Sequence, residues 1–257
     1  MGKHTDGHTE GKQAPPEDVP KQIVQPTYRA LASDYDSTLA FHGVAPREVW
    51  KALEELKEAG IAVILVTGRH LPEVQSLLGA DAGTFSCIVA ENGGLLFDPI
   101  HEATTLLVPP FPDDLAAELR RRHVVPLSVG QTMCASWEGW EKRILETSRD
   151  MGYDMAVERN RGSIMVQPRG TNKATGLRAA LRTMRIEELQ CVGVGDGEND
   201  VPFVHATGLA VAVENACQEL KDAVDLVIGP KGAAGILWLV TQLLQDRLPI
   251  PSRHAHS

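Results

Sequence analysis

Residues 29–38, RALASDYDST, join a short apolar run to two carboxylates that stand two positions apart. The run lacks the regular polar alternation of a half-exposed strand, which predicts a strand at 29–34 that is buried on both faces. Asp34 and Asp36 would then lie at the carboxyl end of this strand. Carboxylates at such a place need a partner that stabilises their negative charge, and the rest of the chain indicates which kind of partner this is.

The same apolar pattern recurs along the chain. Further strands are predicted at 61–67, 86–91, 189–195, 209–213 and 225–228. Amphipathic stretches predict helices at 46–59, 70–79, 173–184, 199–206, 216–222 and 233–245. Strands that alternate with helices in this way predict a doubly wound, Rossmann-like α/β core with a parallel sheet.

The alternation stops between about 99 and 166. This segment predicts two copies of a helix followed by a hairpin, with helices at 113–122 and 138–150. We expect it to form an α+β domain, the cap, inserted into the core. The predicted division is a disordered leader at 1–27, a core at 28–98 and 167–246, the cap at 99–166, and a flexible tail at 247–257.

The composition argues against several classes of partner. The 257 residues carry a formal net charge of -9 with basic residues scattered apart from 120–122, which predicts no binding to nucleic acid or anionic lipid. No apolar run approaches the roughly 18 residues of a membrane span, and the N-terminus is polar, unlike a signal peptide. The four cysteines have no metal-binding spacing, which is typical of reduced thiols in the cytoplasm. Both a monomer and a homodimer fit the sequence.

Three polar clusters follow predicted strands. They are DYDST at 34–38, TGR at 67–69 and GDGEND at 195–200. Each cluster alone could form a turn or cap a helix. Because ligands of doubly wound sheets bind at the carboxyl ends of the strands, three clusters at one edge favour a binding site.

The acidic residues of these clusters indicate a metal. Asp34, Asp36, Asp196 and Asp200 would face one another at this edge. Carboxylates so close together cannot all stay ionised without a cation. Ligands that offer only oxygen favour a hard ion, and Mg²⁺ is the usual choice beside phosphate oxygens.

Four stretches carry a resemblance to a known family. DYDST, TGR, the lysine of GTNKATGL at 170–177, and GDGEND match in order the motifs of the haloacid dehalogenase-like (HAD) phosphohydrolases. The resemblance spans about 28–244, and the position of the insert is similar to that in the Cof-type sugar-phosphatase branch, which includes archaeal phosphoglycolate phosphatases. It implies a HAD core with an α+β cap. It also implies a Mg²⁺-dependent phosphatase of a small phosphorylated metabolite, either a sugar phosphate or phosphoglycolate.

The resemblance also implies roles for individual residues. Asp34 would be the nucleophile that forms an aspartyl phosphate, and Asp36 would be the general acid and base. Thr67, the backbone amide of Gly68 and the ammonium group of Lys173 would bind the phosphoryl oxygens.

The metal and the substrate would be held by further residues of the same motifs. Asp34, the backbone carbonyl of Asp36 and Asp196 would hold Mg²⁺, with Asp200 in support. Asn199 would support both the metal and the phosphate. Arg69 and Asn92 are further candidates for binding phosphate or substrate, and Asn92 could equally serve a turn.

One position departs from the family pattern. Ser37 stands where the family usually has glycine, so the path of this loop is open. Two alternative functions are also open, namely a phosphomutase and a non-catalytic protein that binds a phosphorylated ligand on the same fold.

The cap is expected to choose the substrate, because the core clusters all contact phosphate or metal. Arg159 and Arg161, in the predicted hairpin tip ERNRGS, could pair with a carboxylate or hydroxyl groups of the leaving group. An exposed hairpin tip is the alternative for either arginine.

Overall fold

The computed structural model describes Met1 and residues 27–41 and 43–250. The predicted leader therefore lies outside the described residues except at Met1 and Thr27, and so does the tail from residue 251 onward. No helix among the described residues is long and apolar enough to cross a membrane. All four cysteines are free, and Cys134 and Cys191 are buried.

The strands and helices follow the predicted order. The strands are β1 (Ala30–Ser33), β2 (Ala62–Val66), β3 (Cys87–Ala90), β4 (Leu95–Asp98), β5 (Ala103–Leu106), β6 (Ser128–Val129), β7 (Cys134–Trp137), β8 (Met155–Asn160), β9 (Ser163–Pro168), β10 (Cys191–Gly195), β11 (Leu209–Ala212) and β12 (Leu226–Val227). The helices are α1 (Arg47–Glu58), α2 (Leu71–Leu78), α3 (Asp113–Arg121), α4 (Glu141–Asp150), α5 (Lys173–Met184), α6 (Val201–His205), α7 (Gln218–Ala223) and α8 (Ala233–Leu244).

The larger sheet has eight strands in the order β12-β11-β10-β1-β2-β3-β4-β5. The strands from β12 to β3 are parallel, whereas β4 and β5 run antiparallel at one edge. All four residues of β1 are buried, as the apolar run predicts. The chain builds outward from β1 on both sides, so the switch in strand order falls between β1 and β10. The predicted doubly wound α/β fold is confirmed.

The smaller sheet has four antiparallel strands in the order β6-β7-β9-β8. Helices α3 and α4 pack with it around a separate apolar cluster that includes Leu115, Ile144 and Ile164. The predicted inserted α+β domain is confirmed. The chain passes through it between two segments of the larger sheet.

The structure bears on the domain boundaries at two places. Strand β5 falls inside the predicted cap, but it belongs to the larger sheet because it pairs antiparallel with β4. A turn in which Asp98 accepts hydrogen bonds from the backbone of Ile100 and His101 joins the two strands. We therefore propose that the cap begins after Leu106. At the other end of the core, Leu248 is buried although the predicted tail includes it.

The two ends of the core are tied together. The backbone N–H of Thr27 donates to Asp246 at 3.2 Å, and the hydroxyl of Tyr28 donates to the carbonyl of Pro249 at 2.7 Å. These contacts lie where the chain enters β1, at the opposite end of this strand from Asp34.

Candidate active site

The two central parallel strands bring the first and last polar clusters side by side. Ser33 of β1 pairs with Val194 of β10, and the N–H of Asp34 donates to the carbonyl of Val194 at 3.0 Å. Asp34 and Asp196 therefore begin neighbouring loops at the switch point. Both side chains are buried.

Lys173 lies between the acidic residues. Its Nζ donates to Oδ1 of Asp34 and to Oδ1 of Asp200, each at 2.6 Å, and the residue is only 1% exposed. It is the first residue of α5, where the side chain of Asn172 accepts the N–H of Thr175 and caps the helix. A cation at a helix N-terminus opposes the helix dipole, so the two carboxylates are what stabilise Lys173 there.

Asp200 is fixed by the loop that precedes it. Its Oδ2 accepts the backbone N–H groups of Asp196 and Gly197, both at 2.9 Å. With Lys173 on its other oxygen, Asp200 is bonded through both oxygens. It therefore holds the lysine and the Asp196 loop in place.

The acidic residues fit a small hard cation. Asp34, Asp196 and Asp200 each offer a carboxylate oxygen, and these atoms lie within 4.8 Å of one another. Donors that are all oxygen and mostly anionic suit Mg²⁺. The side chain of Asp36 lies elsewhere, so the metal contact implied for this residue is the one from its backbone carbonyl.

The acidic cluster carries more negative charge than Lys173 balances. Burial, together with Asp200 and Asp196, raises the pKa of Asp34 to about 8 although Lys173 opposes the shift. Burial and Asp200 also raise the pKa of Asp196 to about 6. Burial alone would lower the pKa of Lys173, but Asp200 and Asp34 outweigh it and raise the pKa. An additional cation would stabilise this cluster.

Asp36 and Arg69 form a bidentate pair. Nε and Nη2 of Arg69 donate to the two carboxylate oxygens of Asp36 at 2.7 and 2.8 Å. The pair is partly exposed and fixes the orientation of the Asp36 side chain. Arg69, predicted to bind phosphate or substrate, is thus engaged with the predicted acid and base.

The TGR loop follows β2 at the same edge. Thr67 is buried, and its hydroxyl accepts the N–H of Arg69 at 3.2 Å. Gly68 faces the cap, since a Cβ placed on it would lie 2.7 Å from Sδ of Met165. The loop therefore packs against the cap, and a side chain at Gly68 would have to displace the end of Met165.

Asn92 and Asn199 take different places. Asn92 donates through Nδ2 to Glu158 at 2.7 Å and to Gln167 at 3.1 Å, so it bonds to the cap and does not line the cavity described below. Asn199 is buried, and neither polar atom of its side chain has a hydrogen-bond partner within the described part of the chain. Substrate binding by either residue stays a prediction.

Ser37 keeps the backbone conformation that glycine favours. Its φ is +62°, which costs an L-residue about 1–2 kcal/mol. Its hydroxyl accepts from Nη1 of Arg161 and its carbonyl accepts from Asn215, each at 2.8 Å. A core loop residue thus contacts the cap through an atom that glycine lacks.

The two cap arginines have different partners in the structure. Arg161 reaches the core, where it donates to Asp196 as well as to Ser37. Arg159 instead pairs with Glu141 inside the cap at 3.1 Å. Of the predicted hairpin tip, only Arg161 meets the acidic cluster.

A cavity of about 320 Å³ lies between core and cap. The core lines it with Asp34, Asp36, Thr67, Gly68, Arg69, His70, Glu73 and Lys173. The cap lines it with Ser128, Met133, Ala135, Asn160, Arg161, Ser163 and Met165. A larger groove of about 820 Å³ runs over α1, but no predicted catalytic residue lines it, so the smaller cavity is the candidate active site.

Two residues beside this cavity were not predicted from the sequence. His70 directly follows the TGR cluster, and Glu91 directly follows β3. Their positions at strand ends of the same edge were the available signal. Neither residue belongs to the four motifs, so the resemblance did not reveal them.

The comparisons with known proteins agree with this geometry. The family of haloacid dehalogenase-like hydrolases matches residues 31–120 and 133–240 of the chain. The chain therefore belongs to the haloacid dehalogenase-like hydrolases.

Individual relatives extend over nearly the whole chain. A phosphoglycolate phosphatase of Methanothermobacter thermautotrophicus is 30% identical over 230 residues, which are 84% of this chain and 99% of the relative. The solved structure of a haloacid dehalogenase-like hydrolase from Bacteroides thetaiotaomicron has a TM-score of 0.72 at 18% identity and covers 84% of this chain and 99% of its own. A HAD subclass IIB sugar phosphatase has a TM-score of 0.68 at 20% identity and covers 83% and 98%. At these identities the two structures show the fold alone.

Proposed function

We propose that this chain is a Mg²⁺-dependent phosphatase that cleaves a small phosphomonoester through an aspartyl phosphate on Asp34. Its family and its phosphatase relatives support the class of phosphoric monoester hydrolases. The observation that carries the proposal is the buried contact of Asp34 with Lys173 beside two further carboxylates, at the wall of the cavity. A carboxylate in this setting can act as a nucleophile once a cation offsets its neighbours.

In the first step a carboxylate oxygen of Asp34 attacks phosphorus, and the bond from phosphorus to the leaving oxygen breaks. Asp36 gives its proton to that oxygen, which leaves as an alcohol. In the second step Asp36 takes a proton from water, the water oxygen attacks phosphorus, and the acyl phosphate bond breaks. Inorganic phosphate and the free carboxylate of Asp34 result, and Asp36 is again protonated for the next turnover.

The remaining groups hold the phosphoryl oxygens. Lys173 already lies 2.6 Å from Asp34, so its ammonium group is next to the point of attack. Thr67 and the amide of Gly68 would donate from the adjacent loop. Arg69 holds both oxygens of Asp36 in this structure, so one of these hydrogen bonds must break before Asp36 can carry the proton that it transfers. These residues position the substrate and balance its charge.

A metal would be held by Asp34, Asp196 and the carbonyl of Asp36, with Asp200 and Asn199 in support. A bound Mg²⁺ supplies positive charge that keeps Asp34 ionised and neutralises the phosphoryl oxygens. This role agrees with the raised pKa values of Asp34 and Asp196.

The favoured substrate is phosphoglycolate. Relatives that cover 84% and 76% of this chain are named phosphoglycolate phosphatase, and a cavity of about 320 Å³ suits a small molecule. Sugar phosphates stay the alternative that the sequence left open. A cytoplasmic location and a monomeric or homodimeric state also stay predictions from the sequence.

The test is the release of inorganic phosphate from phosphoglycolate, hexose phosphates and an aryl phosphate. We expect Mg²⁺-dependent release that is highest with phosphoglycolate, that stops with EDTA, and that returns with excess Mg²⁺. Undiminished hydrolysis after complete chelation would contradict the metal site. Transfer of the phosphoryl group to a second sugar hydroxyl without release of phosphate would indicate a mutase, and binding without turnover would indicate a non-catalytic protein.

A further inference from the structure

The cavity wall contains a histidine that the proposed mechanism does not use. His70 is 7% exposed and lines the cavity between core and cap. Neither nitrogen of its ring has a hydrogen-bond partner among residues 27–41 and 43–250. Because a buried polar atom without a partner destabilises the fold, an imidazole in this position calls for a hydrogen-bond partner from the cavity, either water or a bound molecule.

Glu91 lies behind this histidine. It is fully buried, it has a φ of +50°, and its Oε1 lies 3.9 Å from Nδ1 of His70. Its carboxylate accepts the N–H of Gln131 at 3.1 Å, and the N–H and hydroxyl of Thr132 at 2.7 and 2.8 Å. Burial alone would raise the pKa of Glu91, but the contact with His70 and these hydrogen bonds lower it to about 2. The carboxylate is therefore ionised next to the imidazole.

The cap closes one side of the pair. A Cβ placed on Gly130 would lie 2.3 Å from Nδ1 of His70 and 2.7 Å from Oε1 of Glu91, so the backbone of the cap packs directly against both groups. Nε2, the ring nitrogen that Gly130 does not cover, is also buried, so a molecule in the cavity would reach it only after a small shift of the ring or of the cap. The cap backbone at Gly130 thus fixes the position of the His70 ring next to the ionised Glu91.

The arginine and lysine side chains of the cavity wall already have hydrogen-bond partners. Arg69 donates to Asp36. Arg161 donates to Asp196, and Lys173 donates to Asp34. Compared with these three groups, His70 can bind a new anion without losing a hydrogen bond.

We propose that His70 determines specificity by binding a carboxylate of the leaving group through Nε2, with Glu91 as the residue that positions it. The proposal rests on the proposed phosphatase function. His70 follows Thr67 and Gly68 in one loop. A single short loop can therefore contact both ends of a small substrate, its phosphate and its carboxylate.

The chemistry selects a class of substrate. Phosphoglycolate places a carboxylate one carbon away from the bridging oxygen, within the length of such a loop. A hexose phosphate presents hydroxyl groups instead, to which the N–H of an imidazole donates a weaker hydrogen bond than to a carboxylate. The enzyme should therefore prefer short phosphomonoesters that carry a carboxylate.

The test compares phosphoglycolate with 2-hydroxyethyl phosphate, in which a hydroxymethyl group replaces the carboxylate. For His70→Leu, which removes the N–H donor, we expect kcat/KM for phosphoglycolate to fall about ten- to hundredfold, as for a lost hydrogen bond to a charged group. The value for 2-hydroxyethyl phosphate should stay within about threefold. His101→Leu is the matched control, because His101 is exposed and pairs only locally with Asp98.

Glu91→Gln tests the positioning role. It keeps the hydrogen-bonding shape but removes the anion, so we expect a higher KM for phosphoglycolate with kcat on 2-hydroxyethyl phosphate little changed. Glu91→Asp should restore part of the affinity. If Glu91→Gln changes both substrates equally, Glu91 serves only the fold and its part of the proposal is wrong.

Three results would overturn the assignment of His70. If kcat/KM falls equally for both substrates, or for neither, the ring does not bind the carboxylate of the leaving group. If the variant fails to fold, the NMR signals of the His70 ring in the wild-type protein should shift on titration with glycolate, and the absence of a shift counts against the proposal. A wild-type enzyme that hydrolyses both substrates equally also contradicts it, but leaves the phosphatase function intact. Failure to hydrolyse any phosphomonoester with Mg²⁺ removes the proposed function itself.

Discussion

The two walls of the cavity differ in how their charges are arranged. On the core side, Asp34 and Lys173 are buried and bonded to each other, and Asp36 is paired with Arg69. On the cap side, Arg161 is the one charged residue among the described residues that line the cavity. The rest of the cap wall consists of thioether, methyl, hydroxyl and amide groups.

This difference separates two tasks. A dense set of paired charges suits the phosphoryl group, which every candidate substrate shares. A wall with a single charge and adaptable methionines suits the part of the substrate that varies. Changes in the core residues that bind the phosphoryl group or the metal should therefore abolish activity, whereas changes in the cap, like changes at His70 on the core side, should alter the choice of substrate.

Asp34→Asn is expected to have the largest effect, and it tests whether the core side of the cavity carries out the chemistry. A carboxamide cannot form an acyl phosphate, so we expect hydrolysis of an aryl phosphate to fall by at least about a thousandfold. Asp154→Asn is the matched control, because Asp154 lies on the cap surface and pairs with Arg169. Retention of more than about a hundredth of the wild-type rate would exclude Asp34 as the nucleophile.

Asp196→Ala tests whether the core wall needs a metal. The substitution removes a direct oxygen ligand, so we expect the Mg²⁺ concentration for half-maximal activity to rise by about tenfold or more. Calorimetric titration with Mg²⁺ should show the same loss of affinity without turnover. Asp222→Ala, on the exposed surface of α7, should leave both values unchanged. An unaltered Mg²⁺ requirement in Asp196→Ala would place the metal elsewhere.

The imbalance of charge in the core should appear as a pH dependence of stability. The pKa of Asp34 is raised to about 8 and that of Asp196 to about 6, whereas these carboxyl groups ionise near pH 4 in the unfolded chain. As the pH rises, these two carboxyl groups therefore lose their protons at a lower pH in the unfolded state than in the folded state. Without metal, the free energy of unfolding should fall as the pH rises from about 5 to 8.

Denaturant unfolding in EDTA at several pH values checks this expectation. Asp34→Asn should flatten the dependence above pH 6, and saturating Mg²⁺ should reverse it. Glu91, with its pKa lowered to about 2, contributes stability that is lost only below about pH 4.5, outside this window. Stability that rises with pH in EDTA would show that Lys173 balances the cluster.

On the cap side, Arg161→Ala and Arg159→Ala form a matched pair. Arg161 lines the cavity and reaches Asp196, whereas Arg159 is held by Glu141 outside it. We expect Arg161→Ala to change kcat/KM by about tenfold, with different factors for phosphoglycolate and hexose phosphates. Arg159→Ala should stay within about twofold of wild type. Equal factors for all substrates with Arg161→Ala would mean that Arg161 serves the core chemistry and not the choice of substrate.

The smallest effect on stability is expected at Ser37, whose hydroxyl accepts a hydrogen bond from Arg161 of the cap. Ser37→Ala keeps a side chain at positive φ and loses the hydroxyl that accepts from Arg161, whereas Ser37→Gly relieves the backbone. Thermal unfolding should therefore find the alanine variant less stable than the glycine variant by about 1 kcal/mol. Repeating Ser37→Ala in an Arg161→Ala background isolates the hydrogen bond. An identical effect in both backgrounds would show that this contact contributes nothing.

The sequence predicted the core better than the meeting of core and cap. Asp34 and Asp196 were predicted to lie together because short apolar runs end next to them and parallel strands end at one edge, and the family resemblance added Lys173. Strand β4 was not predicted although its first three residues are apolar and buried, and β5, which is exposed throughout, was assigned to the cap.

The contacts between core and cap also could not be predicted from the sequence. The bonds of Ser37 with Arg161 and of Glu91 with Thr132 join residues far apart in the chain. They form only when the cap docks on the core, and no local pattern of apolar and polar residues encodes that docking. His70 was overlooked for the same reason, because its closed surroundings depend on Gly130.

The hydrogen bonds of Thr27 with Asp246 and of Tyr28 with Pro249 bear on how the fold depends on chain order. They bring the entry and the exit of the core together at the end of β1 opposite to Asp34. A short linker from 249 to 27 could therefore close the chain into a ring without crossing the cavity. The ring could then be opened at an exposed turn such as 99–102, so the fold is compatible with a circularly permuted sequence in which β5 comes first and β4 last.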